Sequence, residues 1–166
     1  MKAVPFASLL CLALAVGGCG GQTIVSTKPM ATSNASHLVE EALGRARPQI
    51  DVPNRPPPRK PVVKDLVVGS GAGVKPGDLL TIEYFGIRYT GGEFSNSWDN
   101  GEPFKFRLGS NDPEVSPGWE KGLVGMKVGG RRELILPPEL LYHGSAPSDL
   151  RPDDAVIYEI DLLEAE

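Results

Sequence analysis

The residues of this 166-residue chain that are best suited to chemistry are its aromatic side chains. Ten of the eleven aromatic residues lie between positions 62 and 166, and the other is Phe6. The chain has only two cysteines and two histidines, which is a poor ligand set for a zinc or iron–sulfur site built from protein side chains. We therefore expect no metal and no cofactor.

The charge of the chain argues against one large class of partner. The net charge is −4, with seven Lys and Arg against three Asp and Glu in residues 1–61, and ten against eighteen in residues 62–166. This balance lacks the large basic excess that neutralises phosphates, so nucleic acid is not an expected partner.

Strands are the elements that must position the aromatic side chains. β-Branched and alternating apolar residues, separated by turns that contain Gly and Pro, predict six strands. The predicted strands are Val62–Val68, Leu79–Tyr89, Glu93–Trp98, Phe104–Leu108, Gly130–Pro137 and Ala155–Leu163. In the last strand, Glu159 and Asp161 alternate with apolar residues, as expected for a sheet with one face in water.

One short helix is predicted among the strands. Ser116 precedes Pro117, and this pair is typical of a helix N-cap followed by proline at the first helical position. The predicted helix contains Trp119 and ends by Gly125. The pattern as a whole predicts a small α+β domain with an antiparallel sheet and one short helix.

The first nineteen residues have the pattern of an export signal. Lys2 supplies a positive charge, Val4–Val16 is an apolar run too short for a permanent membrane span, and small residues precede Cys19. This order resembles the lipobox of bacterial lipoproteins, in which the signal is cut before the Cys and the Cys is acylated. It implies a lipoprotein signal peptide over residues 1–18, lipidation of Cys19, and anchoring to a membrane of the bacterial cell envelope on its extracytoplasmic side. The alternative is an ordinary signal peptide cleaved nearby, with Cys19 unmodified.

Residues 19–61 are expected to form a tether. Positions 20–61 contain seven prolines and no aromatic residue, so we expect this segment to be largely disordered. The stretch Pro48–Pro61 favours extended polyproline II. The stretch Ser36–Ala46 has the pattern of a short helix of marginal stability.

Several motifs in residues 62–166 together resemble the FKBP-type peptidyl-prolyl isomerases, the immunophilin family that binds macrolides such as rapamycin. Each motif is weak alone, but the motifs occur in order at ordinary spacing and cover essentially all of this region. They include Pro76-Gly77-Asp78, Tyr84-Phe85-Gly86, Pro117-Gly118-Trp119-Glu120, Gly129-Gly130-Arg131-Arg132 and Tyr158-Glu159-Ile160-Asp161. The resemblance implies a twisted antiparallel sheet wrapped around the short helix, in an isomerase domain that spans residues 62–166.

The resemblance also implies roles for individual residues. The proline ring of a substrate would rest on Trp119, and the backbone N–H of Ser116 would bind the carbonyl group that follows the proline. The implied catalytic residues are Tyr84, Ser95 and Tyr142. The implied substrate-binding residues are Phe94, Phe104, Val115, Ser116, Trp119, Leu150 and Tyr158.

The chain departs from the family pattern at three positions. The family usually has Asp after the Phe of its Phe-Asp-Ser-Ser motif, whereas Ser95 stands there, so its hydrogen bond with Tyr84 would be neutral and weaker. Ser116 replaces a branched apolar residue, and His143 interrupts the usual Tyr-Gly pair after Tyr142. These departures concern the catalytic rate more than the fold.

Three functions stay open at this point. The first is a monomeric, membrane-tethered prolyl isomerase that acts on X–Pro segments of exported polypeptides and binds macrolides such as rapamycin. The second is an FKBP-like binding or chaperone module with weak or no isomerase activity. The third is a structural envelope lipoprotein that uses the fold only as a scaffold. A complete aromatic pocket favours the first two, because a scaffold has no need of one.

Overall fold

The computed structural model describes residues 45–141 and 149–166, and six strands within these ranges form one antiparallel sheet. The strands are β1 (Val62–Val67), β2 (Leu79–Arg88), β3 (Glu93–Asn96), β4 (Phe104–Arg107), β5 (Arg131–Leu136) and β6 (Val156–Ala165). Their order in the sheet is β1-β5-β6-β2-β3, and β4 also pairs with β2. The predicted fold class, α+β with an antiparallel sheet and one short helix, is confirmed.

The two ten-residue strands β2 and β6 pair along their length at the centre of the sheet. Successive side chains of a strand point to opposite faces. Leu80 and Ile82 of β2 therefore join one buried apolar cluster, while Phe85 and Ile87 join another. We call the face that carries Leu80 and Ile82 the inner face, and the opposite face the outer face.

A short helix, α1 (Pro117–Gly122), packs against β5 on the inner face. Two glycines of α1 make this close approach possible. A Cβ atom at Gly118 would lie 2.4 Å from the Leu136 side chain, and one at Gly122 would lie 2.8 Å from Leu134. The helix can therefore sit directly on the sheet and bring its own side chains into the inner-face core.

Strand β3 is shorter than the sequence predicts. The prediction extended it to Trp98, but β3 ends at Asn96, and a 3₁₀ turn follows over Trp98–Asn100. The side-chain oxygen of Asn96 accepts a hydrogen bond from the Asp99 N–H at 2.7 Å. Such local bonds offer the backbone an alternative to the ladder of a sheet, which is why the strand ends here.

The outer face is covered along β6, so the prediction from the alternation in this strand is wrong. Glu159 and Asp161 are only 8% and 1% exposed. Asp161 accepts hydrogen bonds from Arg45 Nη1 at 3.2 Å and from Arg131 Nε at 2.8 Å. These two cations compensate the burial of the carboxylate. Part of the chain upstream of β1 supplies one of them and covers this face.

Residues 45–56, which we call the docked segment, lie against the outer face. Ile50 packs on the outer-face apolar cluster, and the Tyr89 hydroxyl donates a hydrogen bond to the Pro56 carbonyl at 3.4 Å. The sequence predicts a disordered tether over residues 19–61, and the structure differs from that expectation for this stretch. The reason is that a few arginine and isoleucine contacts hold the segment without any aromatic residue of its own.

Several predictions fall outside the described residues. They are the signal peptide over residues 1–18, the lipidation of Cys19, most of the short helix Ser36–Ala46, and the placement of Tyr142 and His143. Within residues 45–141 and 149–166, no helix is both long enough and apolar enough to cross a membrane.

Candidate active site

Five aromatic rings meet on the inner face, with Trp119 at their centre. The Trp119 ring centroid lies 4.9 Å from that of Tyr84, 5.0 Å from that of Tyr158 and 6.2 Å from that of Phe104. Phe94 joins through Tyr158, at 5.6 Å. All four pairs are edge-to-face, with interplanar angles between 67° and 76°, which is a favourable arrangement for aromatic rings. The sequence predicts all five as pocket residues, and the structure brings them together.

Helix α1 places Trp119 at the base of this cluster. The Ser116 hydroxyl accepts a hydrogen bond from the Trp119 N–H at 3.1 Å, and Pro117 opens the helix, so the predicted N-cap is confirmed. The indole is buried, and no described residue accepts a hydrogen bond from its Nε1. No described residue accepts one from the backbone N–H of Ser116 either. A ligand carbonyl beside the indole would therefore meet an unused backbone donor.

Gly86 of β2 allows two of the rings to lie close to the sheet. A Cβ atom at this position would lie 2.7 Å from the Tyr158 ring and 3.1 Å from the Phe94 ring. Any side chain larger than that of glycine would push these rings out of the cluster. Gly86 is thus required by close packing rather than by backbone conformation.

Tyr84 is held on both its side chain and its backbone. Its hydroxyl lies 3.0 Å from the Ser95 hydroxyl, in a hydrogen bond that either group can donate. Its backbone N–H donates to the Ser97 hydroxyl at 2.9 Å, and its carbonyl accepts from the Ser97 N–H at 3.0 Å. The buried Ser97 hydroxyl donates in turn to the Glu83 carboxylate. These bonds fix β3 against β2 beside the pocket.

The environment of the aromatic cluster makes Tyr158 harder to ionise. Burial raises the pKa of the Tyr158 phenol, and the neighbouring Tyr84 raises it further. A phenol is neutral at neutral pH in any case, and this shift extends the neutral state of Tyr158 to higher pH. In the part of the chain that the structure describes, no group of three or more His, Cys, Asp or Glu side chains is arranged to hold a metal ion. The site is suited to binding and desolvation.

Three of the other predicted site residues are buried around the cluster. Val115, Ser116 and Leu150 are 1%, 6% and 7% exposed, and Val115 and Leu150 belong to the same apolar cluster as Trp119. No contact among the described residues tests whether these three touch a substrate, so that role stays a prediction. Tyr142 lies outside the described residues, so its role stays a prediction.

The sequence analysis missed two residues that complete the site. Phe106 stacks on Phe104 at 5.6 Å and lies 6.0 Å from Trp119, which makes it a sixth ring of the cluster. The signal was present, since positions 104 and 106 lie on one face of β4. Ser97, which fixes the Tyr84 backbone, lies in the stretch Phe94–Asp99 that resembles a family motif, but the motif does not show that its partner lies on another strand.

A family model described as FKBP-type peptidyl-prolyl cis-trans isomerase matches residues 71–163. The chain is 38% identical over 120 residues to an FK506-binding protein from Streptomyces anulatus, which covers 70% of this chain and 95% of that protein. It is 36% identical over 103 residues to the FKBP-type peptidyl-prolyl cis-trans isomerase FkpA from Escherichia coli (strain K12), covering 62% of this chain and 37% of that protein.

Solved structures show the same similarity. The crystal structure of FkpA from Escherichia coli matches with a TM-score of 0.58 and 28% sequence identity, covering 81% of this chain and 58% of that chain. The crystal structure of AtFKBP13 matches with a TM-score of 0.57 and 30% identity, covering 66% of this chain and 96% of that chain.

Proposed function

Because the chain belongs to the FKBP-type peptidyl-prolyl cis-trans isomerase family, we propose that it catalyses the cis–trans isomerisation of X–Pro peptide bonds in exported polypeptides. The observation that carries this proposal is the set of aromatic rings packed around Trp119, together with the Ser116 backbone N–H, which has no acceptor among the described residues. Since FK506-binding proteins are among its relatives, the same pocket is proposed to bind macrolides such as rapamycin.

The chemistry requires neither a nucleophile nor a metal. Resonance in the amide opposes rotation about the C–N bond with a barrier of about 18–20 kcal/mol. For X–Pro bonds the two isomers are close in energy but exchange only in about tens to hundreds of seconds. A catalyst therefore needs to bind the twisted amide more tightly than the planar one.

A dry pocket favours the twisted amide in two ways. It removes water that stabilises the charge separation of the planar form, and it holds the reacting groups in positions that suit the twisted one. The indole of Trp119 would support the proline ring, and the backbone N–H of Ser116 would bind the carbonyl that follows it. Both groups are held by the cap of α1, so the substrate would meet a preformed surface.

Tyr84 and Ser95 would act at the edge of this surface. The hydrogen bond between their hydroxyls fixes the Tyr84 side chain. When the Ser95 hydroxyl donates this bond, the Tyr84 oxygen accepts it and the Tyr84 hydrogen can still be donated to a substrate. A donor held in this way can bind the carbonyl oxygen of the rotating amide. The Tyr142 hydroxyl is proposed as a second donor.

A second candidate function is an FKBP-like binding or chaperone module with weak or no isomerase activity. The observation that favours it is the neutral Tyr84–Ser95 pair, where the family usually has a carboxylate. Such a module would use the aromatic pocket to hold proline-containing segments without accelerating their isomerisation.

The proposal places the enzyme at a membrane. Residues 1–18 would be removed as a lipoprotein signal peptide, and lipidated Cys19 would anchor the chain on the extracytoplasmic side of the bacterial cell envelope, as a monomer. Residues 19–61 would link the anchor to the isomerase domain at residues 62–166, and the docked segment is the part of this link that lies on the sheet. More than one acyl chain is needed for stable anchoring, and lipoprotein processing supplies them.

The test is a protease-coupled prolyl peptide assay on the full chain. We expect the wild type to accelerate the cis–trans isomerisation of the peptide above its uncatalysed rate. We expect Trp119→Phe to lower kcat/KM about tenfold, equivalent to about 1.4 kcal/mol in the transition state. Trp98→Phe is the matched control, because Trp98 packs on the outer-face cluster and should keep the wild-type rate.

Two results would contradict the proposed activity. One is a wild type that folds and binds a macrolide but leaves the uncatalysed rate unchanged, which supports the binding module. The other is an equal loss of activity in the two tryptophan variants, which would separate the activity from the inner-face pocket.

A further inference from the structure

A network of polar side chains lies along β3 and the turn that follows it. The buried Asn96 amide donates from Nδ2 to Asp99 Oδ2 at 2.7 Å and to the Glu93 carboxylate. Its Oδ1 accepts from the Asp99 N–H at 2.7 Å. The two carboxylates thus converge on one amide, and a cation between them would offset their mutual repulsion.

Arg47 of the docked segment is that cation. Its guanidinium donates from Nη1 to Asp99 Oδ1 at 3.3 Å and from Nη2 to the Glu93 carboxylate. The same group lies 4.6 Å from the centroid of the Phe85 ring on the outer face. Arginine suits this position because a planar fork can bridge two carboxylates while it stacks on an aromatic ring.

The network encloses two residues of the candidate site. Glu93 and Asn96 are the first and last residues of β3, and Phe94 and Ser95 lie between them. Phe94 contacts the Tyr158 ring, and Ser95 holds the Tyr84 hydroxyl. A strand of four residues with an irregular register to β2 has few ladder bonds of its own. Its position therefore depends on the side chains that hold its two ends.

We propose that Arg47 is a positioning residue of the candidate site: by bridging Glu93 and Asp99, it sets the position of Phe94 and Ser95 in the pocket wall. Arg47 lies outside residues 71–163, which match the family model, and inside residues 19–61, where the sequence predicts a disordered tether. The effect on catalysis rests on the proposed isomerase function, whereas the effect on β3 does not.

A plain surface ion pair would produce a different pattern. Arg47 and Asp99 are partly exposed, and pairs of this kind contribute little to stability on their own. Arg45 provides a matched comparison, because it belongs to the same segment but binds Asp161 and the Gly129 carbonyl, away from β3. Loss of Arg45 should remove the contacts to Asp161 and to the Gly129 carbonyl, but only loss of Arg47 should disturb the pocket wall.

The experiment compares Arg47→Gln, Arg47→Lys and Arg45→Gln in the full chain at a temperature where each is folded. We expect Arg47→Gln to lower kcat/KM about three- to tenfold, and to speed hydrogen exchange of the Ser97 amide, which donates to the Tyr84 carbonyl. Arg47→Lys should recover part of both effects, because it keeps the charge but not the fork. Arg45→Gln should lower the midpoint of urea unfolding and leave both readouts at the wild-type value.

The proposal is overturned if Arg47→Gln keeps the wild-type kcat/KM and exchange rate, or if Arg45→Gln changes them as much. Hydrogen exchange also separates this proposal from the isomerase function. If the wild type has no isomerase activity, faster exchange of the Ser97 amide in Arg47→Gln than in Arg45→Gln still supports the positioning role, and equal exchange in these two variants refutes it.

Discussion

The hydroxyl groups of Tyr84 and Ser95 lie 3.0 Å apart and share a hydrogen bond at the edge of the aromatic pocket. Neither group carries a charge, so the bond fixes the orientation of Tyr84 but places no full negative charge beside it. A charge-assisted hydrogen bond is about twice as strong as a neutral one. Under the proposed function, this pair would therefore position Tyr84 through a weaker bond than a carboxylate would give.

We expect Ser95→Asp to raise kcat/KM about tenfold, because a carboxylate would strengthen the bond to Tyr84 by about 1.4 kcal/mol in the transition state. The measurement is the prolyl peptide assay, with urea unfolding beside it, since burial of a new carboxylate lowers stability. Ser95→Ala, which removes the bond, is the control and should fall below the wild type. A folded Ser95→Asp variant that is no faster than an inactive wild type would favour the binding module.

The aromatic wall of the pocket can be tested without destroying the core. We expect Tyr158→Leu and Phe104→Leu to weaken macrolide binding at least about tenfold, because each removes an edge-to-face partner of Trp119 while keeping apolar volume. The measurement is a titration followed by calorimetry. Tyr89→Leu, the same change within the outer-face cluster, should bind as the wild type does. Unchanged affinity in both pocket variants would place the ligand elsewhere.

The outer face should make stability depend on pH through Glu159. Burial raises the pKa of Glu159, and Arg131 opposes the shift while Glu133 and Asp161 add to it. A raised folded-state pKa means that the folded chain holds the proton more tightly than the unfolded chain. Its stabilising contribution is therefore present at low pH and is lost as the pH rises through the folded-state pKa.

We therefore expect the stability of the wild type relative to Glu159→Gln to increase as the pH falls from about 7 to about 4.5. Urea unfolding at both pH values measures the difference. Glu102→Gln, at an exposed position, controls for the loss of one negative charge. The opposite trend, in which the wild type gains on the variant as the pH rises, would show that Arg131 outweighs the burial of Glu159.

Asp161 is expected to be a principal electrostatic support of the docked segment. Its side chain is fully buried and pairs with Arg45 at 3.2 Å and Arg131 at 2.5 Å. Removing one partner of a buried pair leaves the other charge uncompensated, so Asp161→Asn should lower the free energy of unfolding by about 3–5 kcal/mol. Asp99→Asn is the control, since that side chain is 66% exposed and should cost under about 1 kcal/mol. Similar losses in the two variants would argue against a buried network.

The lipid anchor predicts a simple fractionation result. We expect Cys19→Ala to move the protein from the membrane to the soluble fraction of a bacterial host, because the residue that would carry the acyl chains is gone. Cys11→Ala, within the proposed signal peptide, should leave the protein in the membrane fraction. Equal membrane retention of the two variants would mean that the anchor is not at Cys19.

The inner face of the sheet could be predicted from the sequence because its signals are local. The alternation in β2, the Ser116-Pro117 pair and the spacing of the aromatic residues each depend on neighbours a few positions away. These features placed Trp119 on a short helix beside the strands that carry the other rings. The family resemblance then supplied the roles that geometry alone leaves open.

The outer face could not be predicted, because its contacts join residues far apart in the chain. Arg45 meets Asp161 across 116 positions, and Arg47 meets Glu93 across 46. Recurring polar residues in β6 are typical of a strand with one side in water. The pattern of a single strand contains no information about a distant segment whose arginines pair with those polar residues. A stretch rich in proline and free of aromatic residues likewise predicts disorder, although Ile50 and two arginines suffice to hold it.

The docked segment also determines how the domain would respond to force. A pull on the chain upstream of Arg45 is resisted first by the bonds of Arg45 to Asp161 and Gly129, then by those of Arg47, and only later by the Tyr89–Pro56 bond. Contacts arranged in series along the chain yield one at a time, so tension would peel the segment away before it loads β1. The segment would then detach at a lower force than the one that separates the strands of the sheet. Phe94 and Ser95 would lose the contacts of Arg47 to β3 before any strand separates.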